Sequence, residues 1–249
     1  MKASADKSLQ STLNWALERM KGKGFVVNSS VSLAVDSKLA IMGYAKKDGE
    51  THKIVISDWA LDSDMLGGLV LHELAHIYFT ERGAHSHDSE SLERLLGEMK
   101  EQEGLRAKEV ENLVDAYNHL QNILVDDVVF AVMQGKELEV AKRFFSEWVS
   151  DRPSGDPVMD ASLLCRNAFA IASLKRRQLL QKEDEMNWRN KGFISAMGEF
   201  AEGEFDWLEH FLESAKNEWS EMEFAVAMED YLDKILSLMR PESKLADLR

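Results

Sequence analysis

The residues best suited to do chemistry sit in one short run, His72-Glu73-Leu74-Ala75-His76. The two histidines are four apart. On a helix of 3.6 residues per turn that spacing stacks both imidazoles on one face, about one turn apart. Two nitrogens held this way can bind one Zn2+ at about 2.0–2.1 Å each. Glu73 follows the first histidine. In such a helix it need not bind the metal and is placed to act as general base, taking a proton from metal-activated water and passing it to the leaving amine. The segment Leu69 to Phe79 is apolar on nearly every face, so the helix is expected to be buried. Three ionisable side chains in a buried helix are costly unless paired or metal-bound. The competing reading is a pair of hydrogen-bonded core histidines.

A catalytic zinc usually has three protein ligands and an open position, and two places offer a third. One is a stripe on the segment 108–133, where Asp115, His119, Asn122 and Asp126 are spaced four, three and four apart and fall within roughly 60° of one another. Leu120, Ile123, Leu124, Val125 and Val128 surround them, and a polar stripe in an apolar helix needs a polar partner. Asp126 is the first choice for third ligand; Asp127 points about 100° away from it and is weaker. His119 and Asn122 then become outer residues that orient a ligand, or, for His119, stabilise an oxyanion. The other place is the loop Gly83-Ala84-His85-Ser86-His87, whose His87 or His85 is the alternative ligand.

The run His72 to His76 resembles the active-site helix of the HExxH zinc metallopeptidases, the zincins. The metzincin extension is missing, because Phe79 and Arg82 stand where it has Gly and His. Asn122-Ile-Leu-Val-Asp126 is similar to the Asn-Ile-x-x-Asp helix of predicted metallopeptidases related to von Willebrand A-associated proteins, and more loosely to the acidic second helix of gluzincins, although no Glu lies on the stripe between 112 and 130. The loop histidine resembles the third ligand of SprT-type proteases. The likeness implies zinc as cofactor, a peptide or protein substrate, and a strand before the helix, here His52 to Ser57, whose edge pairs with substrate.

The elements that must position these residues read as follows. Ser8 to Met20 has the spacing of an amphipathic helix. Val31–Val35, Leu39–Ala45 and His52–Ser57 read as an antiparallel meander with turns at Asp36-Ser37 and Lys47-Asp48-Gly49. Asp62, Ser63 and Asp64 are N-cap residues for a helix running to about Thr80. Helices follow over 89–100 and 108–133. Ser150 to Pro157 holds two of the three prolines and reads as a linker or sharp turn. Helices are expected over 158–181, 185–200, 204–216 and 218–239, with Trp188, Trp207 and Trp219 as core anchors. The expected fold is α+β: a zincin-like half, residues 1–149, of helix, meander and HExxH helix, and a mainly helical C-terminal domain, residues 158–249.

Composition narrows the partners. A net charge of −14 repels phosphate backbones and anionic lipid, so neither nucleic acid nor membrane is expected as a partner. The single cysteine, Cys165, lies in an apolar stretch and is expected to pack in the core. No run approaches 18 apolar residues and the N-terminus lacks the apolar region of a secretory signal, so a cytoplasmic setting is expected. The function expected is zinc-dependent peptide hydrolysis with Glu73 as general base. The alternative is a non-catalytic module, with structural zinc or none, whose helical half binds a protein.

Overall fold

The computed structural model describes residues 2–241, with side chains from Ser8 onward. The fold class is α+β, mainly helical with one small three-stranded sheet. The described residues form two compact units, one joining 2–87 with 125–141, the other joining 88–124 with 142–241. None of the described helices is long and apolar enough to cross a membrane.

The first unit opens with α1 (Lys2–Gly22), which buries Leu9, Leu13, Ala16 and Met20 at helical spacing. Three strands follow: β1 (Val31–Asp36), β2 (Gly43–Asp48) and β3 (Thr51–Ser57). They do not form the expected meander. The order is β1-β3-β2, with β1 parallel to β3 and β2 antiparallel to it. The cause lies in β3, where Ile54, Val55 and Ile56 are all buried. A strand apolar on both faces belongs in the middle of a sheet. The tight turn at Gly49, with φ +64°, makes the β2-β3 hairpin, and β1 takes the remaining side. His52–Ser57 is therefore paired along both edges and does not serve as the substrate-pairing edge expected of it.

Helix α2 (Leu66–Glu81) packs on α1 and across β2 and β3. Its N-cap is Met65 rather than Asp62 or Asp64; the hydroxyl of Ser63 accepts from the Met65 N–H. Close approach depends on small residues. A Cβ on Gly43 would lie 3.1 Å from the Val55 carbonyl oxygen and 3.4 Å from Leu69 of α2. The end of α2 is tied to the start of β1 through Glu81, which accepts hydrogen bonds from Asn28 N–H at 2.7 Å, Asn28 Nδ2 at 3.3 Å, Ser29 N–H at 2.9 Å and the Ser29 hydroxyl. The unit is completed by the last turns of α4 (Ala107–Val132) and the first of α5 (Lys136–Trp148). Arg19 of α1 holds that corner, donating to Val132 O at 2.6 Å and to both oxygens of Glu137 at 2.7 and 2.8 Å.

The second unit contains α3 (Ser89–Glu103), the earlier part of α4, the later part of α5, α6 (Pro157–Lys175), α7 (Glu185–Met197), α8 (Phe200–Glu213) and α9 (Glu221–Met239). Helix α6 is buried along most of its length and packs against α7, α8 and α9. Cys165 is buried within it, as expected, and burial pushes its thiol up to about 12. The 150–157 segment is a fastened sharp turn: Asn167 accepts from Ser150 N–H and donates to Ser150 O, and Asp160 accepts from Ser154 and Gly155. Helix α5 occupies residues for which the sequence reading placed no element. Trp188 is 66% exposed and is not a core anchor, whereas Trp207 stacks on Phe211 and Tyr231.

Candidate metal centre

Helix α2 presents His72 and His76 on one face and buries Glu73 beside them. The Nε2 atoms of the two histidines face each other at 3.2 Å. Two nitrogens each about 2.0–2.1 Å from one tetrahedral zinc must stand about 3.3–3.4 Å apart, so this pair has the separation of two ligands on one ion. The other ring nitrogen of each histidine also has a partner. Asp126, from the end of α4, places Oδ1 3.6 Å from His72 Nδ1, and His87 places Nε2 3.0 Å from His76 Nδ1.

His87 sits in a 3-10 turn, His85–His87, just after α2. Its ring stacks on Phe79, with centroids 5.0 Å apart and planes 17° from parallel, and its Nδ1 is 2.9 Å from the hydroxyl of buried Ser86. Burial, and then the neighbouring His72, holds the His87 imidazole down to about 3, so it is neutral at physiological pH.

Glu73 is 5% exposed, and burial pushes its carboxyl up; the charge of His72 and a hydrogen bond from the Ala45 N–H pull the other way. That N–H is available for a structural reason. Ser57 N–H donates to Met42 O. Bonded positions alternate in an antiparallel ladder, so with Gly43 opposite Ile56, Gly43, Ala45 and Lys47 turn their backbone groups away from β3. Among the described residues β2 pairs with β3 alone, and its outer edge reaches Glu73 through Ala45.

The structure thus brings together His72, Glu73, His76, His87 and Asp126. Among the described residues, no three His, Cys, Asp or Glu side chains converge as a metal-holding group; Asp126 and His87 both stand at Nδ1 atoms. His85 shares the 3-10 turn, and Asp127 is buried next to Asp126. His119 and Asn122 belong to the second unit. There His119 stacks on Phe169 at 4.9 Å, its Nδ1 is sealed from solvent without a partner among the described residues, and burial followed by Arg166 holds it down to about 4. Asp115 is exposed. Sequence reasoning missed the Ala45 N–H, Phe79 and Ser86. A backbone donor leaves no mark in residue types, and a Phe and a Ser beside histidines are too common to signal a clamp.

A mainly helical α+β fold with two histidines and a glutamate on one buried helix is the class these features define. Residues 25–190, well over half of the chain, match the family of unknown function DUF5781, and the chain belongs to that family. No curated protein and no solved structure matches it.

Proposed function

We propose that this chain is a zinc-dependent hydrolase of peptide bonds, with His72 and His76 holding the ion and Glu73 as general base. The observation that carries the reading is the 3.2 Å separation of the two Nε2 atoms, each on a ring whose Nδ1 has its own partner. Metal-binding histidines nearly always have such an outer partner. Asp126 fits the orienting role for His72 better than that of a third ligand, because it faces Nδ1. When bound, zinc supplies Lewis acidity towards a carbonyl and lowers the pKa of water towards about 7. Glu73 accepts the proton of the attacking water at its carboxylate and returns it to the leaving nitrogen. Its burial raises its basicity, and the Ala45 N–H fixes its orientation. The zincin resemblance supports peptide as the substrate, and the outer edge of β2, which pairs with no strand but β3 among the described residues, offers an extended peptide the backbone groups of Gly43 and Lys47.

The test compares zinc content and peptide cleavage in wild type, His72→Ala and Glu73→Gln. Wild type should hold about one zinc, His72→Ala should hold none, and Glu73→Gln should keep the metal while losing about 10²–10⁴-fold in turnover. Wild-type protein that cannot be loaded with zinc would end this reading. Loaded protein whose properties are indifferent to Glu73→Gln would favour a structural zinc in a protein-interaction module.

A further inference from the structure

Five groups form a chain of four contacts through the site: Asp126 Oδ1 to His72 Nδ1, His72 Nε2 to His76 Nε2, His76 Nδ1 to His87 Nε2, and His87 Nδ1 to Ser86 Oγ. Each neutral imidazole carries one N–H and one lone pair, so the protons along such a chain are not independent. With no cation present, the carboxylate of Asp126, 3.6 Å from His72 Nδ1, favours the His72 tautomer that carries its proton there and accepts at Nε2. His76 then donates from Nε2 and accepts at Nδ1, His87 donates from Nε2, and the Ser86 hydroxyl donates to His87 Nδ1.

A cation held between the two Nε2 atoms requires a lone pair on each. His72 already offers one in the tautomer that Asp126 favours, with its N–H on Nδ1. His76 does not, and its proton has to move to Nδ1. That atom faces His87 Nε2 at 3.0 Å, so His87 must turn from donor to acceptor and carry its own proton on Nδ1, where Ser86 accepts it. Two imidazoles exchange one nitrogen for the other, one hydroxyl rotates, and no proton is gained or lost. The chain permits this because Ser86 contributes a hydroxyl, which both donates and accepts. The stack on Phe79 and the short turn keep the His87 ring in place while the direction reverses.

We infer that His87 is a positioning residue for His76: by accepting the Nδ1–H of His76 while its own Nδ1–H donates to the Ser86 hydroxyl, it leaves the Nε2 lone pair of His76 free to face the ion. The inference rests on the metal reading above and assigns the loop histidine a role other than that of third ligand.

The test uses the full chain and Zn2+ alone. Nitrogen–proton correlation spectra of the ring nitrogens should show His87 protonated at Nε2 before loading and at Nδ1 after it, with the coordination shift confined to His72 and His76. Zinc affinity, read by competition with a chelator, should fall about 10–100-fold in His87→Leu. It should stay within a few-fold of wild type in His87→Gln, whose amide oxygen can accept from His76. A coordination shift at His87 Nε2, an unchanged His87 tautomer on loading, or equal losses in the Leu and Gln variants would overturn the positioning role while leaving the metal site standing. Wild type that takes up no zinc would overturn both.

Discussion

Asp126 Oδ1 lies 3.6 Å from His72 Nδ1, on the ring nitrogen that does not face His76. This is longer than a hydrogen bond and within ion-pair range. A carboxylate there favours the tautomer with its proton on Nδ1 and makes the Nε2 lone pair a better donor. Asp126→Ala should therefore weaken zinc binding about 10–100-fold without abolishing it, as read by chelator competition. Complete loss of zinc would make Asp126 a ligand; unchanged affinity would remove it from the site.

Zinc that binds the folded chain and not the unfolded one must stabilise the fold. At a free concentration 100 times the dissociation constant the gain is about 2.7 kcal/mol. Thermal unfolding of wild type should shift upward with added zinc and return with a chelator. His72→Ala should show no shift, and an equal shift in that variant would place the ion elsewhere.

Glu81 gives a pH signature. Burial pushes its carboxyl up, but hydrogen bonds from Asn28 and Ser29 outweigh this and hold it below the ordinary value. A carboxyl depressed in the folded state contributes stability above its unfolded pKa of about 4.3, and loses it as pH falls through the folded value. Glu81→Gln should cost about 1–3 kcal/mol at pH 7 and progressively less in acid. Urea unfolding across that range checks this, and a gap independent of pH would contradict it.

Gly43 lets β2 and α2 meet. A side chain there would press on a backbone oxygen at 3.1 Å, which cannot rotate away. Gly43→Val should destabilise the chain by about 1–3 kcal/mol, and by moving β2 it should loosen the Ala45–Glu73 bond and reduce turnover further than the loss of stability accounts for. Unchanged denaturant midpoint and turnover would show that the contact relaxes freely.

The sequence was most informative where periodicity is local. The spacing of Leu9, Leu13, Ala16 and Met20 and the apolar run around His72 carried α1 and α2, because a helix is dictated by neighbours within one or two turns. Strand order was not legible. β1 pairs with β3 across some twenty residues, and the turn signals at Asp36-Ser37 look the same whether the chain folds back or crosses over. The stripe on α4 pointed at Asp126, which reaches His72, but periodicity cannot say which ring nitrogen a carboxylate meets. His87 was visible as a histidine soon after α2; its contact with His76 depends on a one-turn 3-10 segment that no hydrophobic pattern encodes.

The unit that carries the candidate site is not continuous in the chain: residues 2–87 are completed by residues 125–141. During synthesis His72, Glu73, His76 and His87 are all made before Asp126, with α3 and most of α4 in between. The histidines therefore exist for that interval without the carboxylate that stands 3.6 Å from His72 Nδ1. Contacts of such sequence separation form late, after the loop-closure cost has been met. A nascent chain can therefore have α2 in place before the end of α4 brings Asp126 to His72.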